Sequence, residues 1–474
     1  MQKLNDICCC ESKAKSETEF VGIRCEKSKE DGALETSIIF PLGYFKDDSA
    51  LRELPEEELR ECVVNLFTVL SDPSLQEQIH QDSSISTFAE EHGESEFPMV
   101  SYLNVIRNFL DFGYLDEKEI LYKKGANGKI NWGRTIKAVR PVITENEQNL
   151  VYLDFIARKV SYNEDTLITQ VHKFCVHDAL VKLGFLFGVD PSEEPLLDFD
   201  YDLFCNAIHS KLAKTFNDRD LRLLADLARI VEYLAGHKTE DGKTADDFYF
   251  GVNKFAPVWE AMVDKIFGKL PQGVAKDKFN PHCEWDLNSR KPGYENPNYA
   301  MRPDTIMWDE EGNRLYVLDA KYYKFGMTGS ASDLPSSGSI CKQIAYAEYV
   351  ETHWKTILGV DSIATPSTSL QNDTLPKPIY NAFLLPYCFD ADNSQLPPDD
   401  GFETRPCKMR FIGFCHGNWK NLDARPGEVD YRPYHRIAGI LLDVRSVMEN
   451  YGALGEAQKT LATCILRENS NCCT

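Results

Sequence analysis

Residues Arg302 to Lys321, RPDTIMWDEEGNRLYVLDAK, read as two short strands joined by a turn. Thr305-Ile306-Met307-Trp308 is β-branched and aromatic, Asp309-Glu310-Glu311-Gly312-Asn313 is turn chemistry, and Leu315-Tyr316-Val317-Leu318 is a second strand core. Charged residues mark the ends: Asp304 opens the first strand, and Asp319 and Lys321 close the second. Side chains two apart on a strand share a face, so Asp319 and Lys321 point the same way. An antiparallel turn returns Asp304 to that end of the sheet. Two carboxylates and an ammonium converging there have the chemistry to hold a hard divalent cation beside an activated water.

Working outward, the hairpin lies in an α/β pattern. A helix over Ala256–Phe267 precedes it and carries Glu260 within an otherwise apolar face; a helix over Lys342–Trp354 follows and carries Gln343 and Tyr346. Strands are expected at Ile379–Leu385, Met409–Phe414 and Ile437–Val444, with a closing helix near Gly455–Leu466. The first half reads differently. It is mainly helical, with amphipathic spacing at Glu56–Leu70, Tyr102–Leu110 (closed by Gly113), Leu167–Leu186, Tyr201–Phe216 and Arg219–Leu234. Strands are expected at Ser37–Pro41 and Leu150–Phe155. The polar run GHKTEDGKTADD, Gly236–Asp247, marks a boundary near residue 240, giving regions 1–240 and 241–474. That run resembles a P-loop but has five residues between its glycines where four are required, so it predicts no nucleotide site.

Composition narrows the class. At 474 residues, 43% hydrophobic and 27% charged, the chain is that of a multi-domain globular protein. No apolar run approaches the roughly 20 residues that span a bilayer, and the N-terminus has no signal-like apolar segment, which points to the cytoplasm. The 15 cysteines form no CxxC pair and read as free thiols, with Cys8-Cys9-Cys10 at a mobile end. The net charge of −22 is unfavourable for phosphate neutralisation as a whole. Locally the balance reverses: Leu121–Arg140 carries six basic residues and no acidic one. In one reading Lys123, Lys124, Lys129, Arg134, Lys137 and Arg140 contact phosphates while Trp132 packs near the nucleic acid. In the other, Trp132 is a core anchor and the basic residues line a solvated or inter-domain face.

Phosphodiester hydrolysis needs the residue types found around the hairpin. A metal generates hydroxide and neutralises charge on the non-bridging oxygens; carboxylates supply oxygen ligands; a lysine near phosphate steadies the transition state. The order Glu260, Asp304, Asp319-Ala320-Lys321, Gln343 resembles the PD-(D/E)xK nuclease superfamily, whose core is a mixed sheet flanked by helices. More narrowly, Gly128-Lys129-Ile130-Asn131-Trp132-Gly133-Arg134-Thr135-Ile136 is similar to the G-x-I-N-W-x-R-T-I signature of the LlaJI family of restriction endonucleases, relatives of McrC. So is the combination of Val258-Trp259-Glu260, Arg302-Pro303-Asp304 and Leu318-Asp319-Ala320-Lys321. The resemblance covers about residues 35 to 450.

That resemblance implies a Mg²⁺- or Mn²⁺-dependent restriction endonuclease acting on double-stranded DNA. It implies metal ligation by Asp304, Asp319 and the Ala320 carbonyl, with Glu260 as a further metal- or water-orienting acid, and Lys321 as the catalytic lysine. Gln343 is carried over from a Q-x-x-x-Y pattern in which Tyr346 stands one position early. A McrB-like GTPase subunit is an implied partner, and a homodimer is held open. A structure-specific repair nuclease and a subunit that mainly docks on an NTPase are the alternatives.

Overall fold

The structure, a computed structural model, describes residues 3–11, 20–27, 34–75, 97–115, 117–125, 128–143, 150–163, 166–191, 193–237, 247–283, 301–358, 378–389, 407–425, 428, 430–452 and 455–471. The linker run at 236–247 lies mostly outside them. In chain order the first elements are α1 (Leu4–Ile7), β1 (Cys8–Cys10), β2 (Val21–Lys27), β3 (Leu34–Phe40), α2 (Asp48–Glu53) and α3 (Glu56–Leu70). There follow α4 (Met99–Phe112), β4 (Glu117–Lys124), β5 (Lys129–Ile130), α5 (Trp132–Ala138), β6 (Val142–Ile143), β7 (Leu150–Val151) and β8 (Ile156–Asn163). Three long helices come next, α6 (Leu167–Leu183), α7 (Tyr201–Leu212) and α8 (Asp218–Gly236). The remainder is β9 (Phe248–Val252), α9 (Ala256–Phe267), β10 (Thr305–Asp309), β11 (Arg314–Ala320), α10 (Phe325–Thr328), α11 (Ser337–Leu358), β12 (Ile379–Tyr387), β13 (Met409–Cys415), β14 (Ile437–Asp443), α12 (Val444–Asn450) and α13 (Glu456–Asn471). Among the described residues no helix is long and apolar enough to cross a membrane.

Two compact units result, and they do not follow a single boundary near residue 240. One is Ser95–Phe248; the other joins Lys3–Glu94 to Tyr249–Thr474. The physical reason is pairing and packing at long range. Strand β9 adds to the sheet ordered β1-β3-β2-β9. The Asp72 carboxylate just after α3 accepts from Lys265 of α9 at 3.0 Å and from Tyr451 beyond α12 at 2.9 Å. Cys8-Cys9-Cys10, expected at a mobile end, instead forms β1 in parallel register with Ile38, Ile39 and Phe40. A three-residue strand beside β3 carries no periodicity to read. The strand expected at Leu150–Phe155 shrinks to the two residues of β7, and the long strand begins after it as β8, paired along its length with β4.

In the unit Ser95–Phe248, helices α4, α6, α7 and α8 bury one apolar face each, and Thr166, Asp200 and Asn217 cap the N-termini of the last three. Gly113 closes α4 with φ +75, as the helical spacing predicts. Two polar pairs are enclosed between these helices: Ser101 donates to Asp226 at 2.9 Å, and Tyr102 donates to Asp178 at 2.6 Å. His172 is fully buried, and its Nδ1 accepts from the Leu115 amide at 3.0 Å.

In the other unit a five-stranded sheet has the order β10-β11-β12-β14-β13. Strands β11, β12 and β14 run parallel, and β10 and β13 run antiparallel at the edges. It is a mixed sheet in an α/β unit. Strand β12 is buried along its whole length, as the centre of such a sheet requires. Helix α11 makes the crossover from β11 to β12 and lays Tyr346, Ala347, Val350 and Trp354 on Ile306, Leu315 and Val317. The β10–β11 turn is closed by Asp309, whose carboxylate accepts from the Gly312 amide at 3.0 Å. A Cβ at Gly312 would meet that carboxylate at 2.2 Å, so a larger residue there would displace the Asp309 side chain that closes the turn.

His172 makes the helical unit sensitive to acid. Its Nδ1 is an acceptor, so the proton sits on Nε2, and burial holds the ring at about 4, below its ordinary 6.5. Between those values the unfolded chain binds a proton that the native ring does not, so stability falls as pH drops from about 6.5 to about 4. The loss expected from this ring is on the order of 3 kcal/mol. Denaturant unfolding across that window should show a weaker pH dependence in His172→Gln than in the parent. Identical slopes would remove His172 as the cause.

Candidate active site

The hairpin register builds the site. Thr305 faces Leu318 across β10 and β11, so Asp304 and Asp319 fall opposite one another at the end of the sheet. Their carboxyl groups are close enough for each to act on the other's ionisation. The Ala320 amide donates to Asp304 Oδ2 at 2.9 Å, so the strand end itself holds one aspartate against the other. Lys321 leaves β11 with its amide bonded to the Leu384 carbonyl of β12 at 2.9 Å. Its Nζ lies 2.6 Å from Asp319 Oδ2 and 3.9 Å from Asp304 Oδ2. The backbone thus fixes all three groups through ladder bonds, not through mobile loops.

Electrostatics couples them to Glu260. Burial first, then the negative charges of Asp319 and Glu260, push the Asp304 carboxyl well above its usual range. Burial works to neutralise Lys321, but Asp304, Asp319 and Glu260 outweigh it and raise the ammonium above its ordinary value. Lys321 is therefore held as a cation, suited to donate hydrogen bonds while keeping its proton. Tyr346 of α11 feels the same field. Burial, then Asp319 and Asp304, push its phenol up to about 12, while its hydroxyl donates to the Arg302 carbonyl at 3.1 Å.

Gln343 is not brought to the carboxylates by any bond. It is fully buried; its Nε2 donates to the Val317 carbonyl at 2.7 Å, and Asn381 Nδ2 donates to its backbone carbonyl at 3.1 Å. It fastens α11 to β11 and β12. Tyr346, three residues on, shares that helix face and is the α11 side chain that senses Asp304 and Asp319.

Other contributors carry no sequence signal. Lys276 donates to Asp264 Oδ2 at 2.8 Å and to the Asp304 carbonyl. Tyr322, next to Lys321, donates to Glu11 and accepts from the Leu42 amide at 2.6 Å. Each is a lone polar residue whose partner is far away in sequence, and no periodicity or motif marks it.

The donor set can be compared with what a divalent cation requires. Among the described residues no group of three or more His, Cys, Asp or Glu side chains forms a ready cage. Mg²⁺ is commonly held by one or two carboxylates while it keeps several waters, so a cage is not needed. Asp304 and Asp319, with Glu260 close enough to repel Asp304, leave an excess of negative charge that Lys321 alone does not cancel. The residues fit such an ion.

In the unit Ser95–Phe248 the signature stretch divides by role. Gly128 has φ +120, and a Cβ there would meet the Arg158 carbonyl at 2.5 Å. Asn131 caps α5 by accepting from the Arg134 amide at 3.0 Å. The buried Thr135 hydroxyl accepts from the Ile156 amide at 3.0 Å and so fixes α5 to β8. These residues are structural. Trp132 and Ile136 are 52% and 59% exposed, which overturns the reading of Trp132 as a core anchor. Its ring stands edge-on to Phe155 and Tyr152 at 5.7 and 6.2 Å. Lys123, Lys129, Arg134 and Lys137 are exposed around it, with the Arg134 guanidinium 3.8 Å over the Tyr122 ring. Lys124 is already paired, 2.6 Å from Asp154.

A mixed α/β sheet with an aspartate pair and a lysine at one strand end, in a chain whose other unit bears this signature, agrees with the family comparison. Residues 42–394 match the family model described as LlaJI restriction endonuclease, and the chain belongs to that family. It is 25% identical over 251 residues to the Type II restriction enzyme BsuMI component YdjA of Bacillus subtilis (strain 168), covering 50% of this chain. The chain spans about half the length of that curated relative, 51%. A solved structure, the refined half-complex from a tetradecameric assembly of Thermococcus gammatolerans McrB AAA+ hexamers with bound McrC, aligns distantly. It covers 94% of this chain and 82% of that chain, at 12% identity and a TM-score of 0.32.

The charge imbalance predicts opposite effects at neighbouring positions. Asp304→Asn keeps an acceptor for the Ala320 amide and replaces a buried carboxyl that ionises only at a cost beside Asp319 and Glu260, so the metal-free thermal midpoint should rise by a few degrees. Lys321→Met leaves the carboxylates uncompensated and should lower it by a similar amount. Calorimetry in chelator tests both, and a fall in both variants would refute the account.

Proposed function

We propose that this chain is the cutting component of a restriction system, hydrolysing phosphodiester bonds in double-stranded DNA at a PD-(D/E)xK site. The observation that carries the reading is the Asp304–Asp319 pair facing Lys321 at the end of the hairpin. Asp304, Asp319 and the Ala320 carbonyl would hold Mg²⁺ or Mn²⁺, with Glu260 beside them. When bound, the ion supplies charge neutralisation at the scissile phosphate and acidifies the attacking water.

The chain's own groups do the rest. Lys321, kept protonated by its acidic neighbours, donates to a non-bridging phosphate oxygen and stabilises the charge that grows there. Glu260 orients the water and accepts its proton at a carboxylate oxygen; the water oxygen bonds to phosphorus opposite the 3′ oxygen as the P–O3′ bond breaks, and the 3′ oxygen leaves to take a proton from solvent. Gln343 acts at one remove, by fastening α11 to the sheet that carries the aspartates. Trp132 and the lysines around α5 contact DNA on the other unit.

Asp319→Asn and Lys321→Ala should each lower plasmid cleavage by roughly 10²-fold or more, the scale of losing one preorganised charge at a reacting centre. DNA binding and the circular dichroism spectrum should be retained. Parent-like cleavage by either variant would sink the assignment.

A second prediction concerns the basic stretch. Replacing Lys123, Lys129 and Lys137 by alanine should weaken DNA binding at low salt and reduce the slope of log affinity against log salt by roughly 0.9 for each phosphate left without its cation. Lys124→Ala should change that slope little, because its ammonium is already engaged by Asp154. If the triple variant keeps the parent slope, this surface does not hold phosphate.

A second reading has one observation in its favour: the curated relative is named as a component of its enzyme. On that reading cleavage requires a further chain, and the resemblance points to a McrB-like GTPase. Cleavage of methylated and unmethylated plasmid by the isolated chain with Mg²⁺ alone separates the two.

A further inference from the structure

We propose that Lys276 is a positioning residue that sets the separation of Glu260 from Asp304 and thereby the cation affinity of the site. The inference rests on the metal-dependent reading of the Asp304–Asp319 pair. Lys276 Nζ bridges two elements. It lies 2.8 Å from the Asp264 carboxylate on α9 and also donates to the Asp304 backbone carbonyl at the start of β10. Asp264 is one helical turn after Glu260, so both side chains leave the same face of α9. The lysine therefore ties the helix that carries one acid to the backbone that carries another.

Its own placement is rigid. Lys276 opens a single turn whose neighbours Val274 and Phe279 are buried in the core with Ile306, Val317 and Tyr346. A second tie runs parallel to it: the Lys269 amide donates to the Ile306 carbonyl at 2.9 Å, and the Trp308 amide donates to the Lys269 carbonyl at 2.8 Å. That backbone pair holds the residue just beyond the C-terminus of α9 to the middle of β10 whatever occupies position 276. Removing the lysine therefore releases Asp264 from the Asp304 backbone and leaves that pair in place. The Lys276 side chain is 40% exposed, and a pair this open to solvent contributes little to stability. Its effect should be felt in the site and not in the fold.

The test uses the full chain and Mn²⁺ as the probe, in two measurements. Mn²⁺ binding without DNA is followed by electron paramagnetic resonance, and the Mn²⁺ concentration for half-maximal plasmid cleavage is read separately. Lys276→Met should weaken both by roughly tenfold or more, the usual scale for partners that orient a metal ligand, with the rate at saturating Mn²⁺ reduced much less. Lys276→Arg, which keeps the donors, should restore both to within a few fold, and Asp264→Asn should reproduce the loss in part. Unchanged Mn²⁺ binding in Lys276→Met overturns the proposal. So does a loss that Lys276→Arg fails to restore, or an unfolded Lys276→Met beside an Asp264→Asn chain that binds Mn²⁺ like the parent. A parent chain that binds no Mn²⁺, or an Asp319→Asn chain that binds it and cuts normally, refutes the site itself and is distinguishable from failure of the coupling.

Discussion

Everything at the candidate site depends on holding like charges together. Asp304 and Asp319 share the end of one hairpin, Glu260 adds a third negative charge to the same field, and Lys321 supplies the ammonium between the aspartates. In water these carboxylates would separate. Here the β10–β11 register fixes two of them, the Ala320 amide holds Asp304, and the parallel bond from Lys321 to Leu384 holds the lysine. The sheet supplies the force that opposes the repulsion. Such an arrangement is unfavourable by itself, because like charges are held together away from water.

Much of this was legible in residue order, and the limits have physical causes. Helices α3, α4, α6 and α9 follow from periodicity, because each buries one continuous face, and strands β10 to β14 follow from short β-branched, aromatic and apolar runs. Asp304, Asp319 and Lys321 could be placed at one end of the hairpin because strand alternation and a turn fix faces without further information. What stayed hidden was pairing over long distances. Nothing local says that β9 joins β2, that Cys8-Cys9-Cys10 is a strand, or that residues 3–94 belong with residues 249–474. Lys276 and Tyr322 were hidden for the same reason, since their partners at Asp304 and Glu11 are brought near only by the finished fold. Tyr346 illustrates a different limit. A spacing of three in place of four looks like a departure from the pattern, but on a helix both spacings reach one face.

The signature stretch shows how a short motif can mix two kinds of demand. Gly128, Asn131 and Thr135 are required by backbone geometry, a helix cap and a buried hydroxyl. Trp132, Arg134 and Ile136 are exposed and contribute little to holding the turn. A motif search weights both sets alike, although the first reports the fold of the family and the second reports the surface it presents. The basic character of this surface stands against the acidic balance of the chain as a whole, net −22.

The division of the chain has a consequence for how it is made. Strands β2 and β3 leave the ribosome early, but the edge that β9 covers stays open until the entire helical unit has been synthesised. The same holds for Asp72, whose partners Lys265 and Tyr451 arrive much later. During that interval the nascent N-terminal segment exposes an unpaired strand edge, the form of surface most prone to wrong pairing. The aspartate pair cannot form before then either. The hairpin that carries Asp304, Asp319 and Lys321 is likewise made only after the helical unit, and Lys321 gains its backbone partner Leu384 later still, so the candidate site is among the last parts of the chain to be completed.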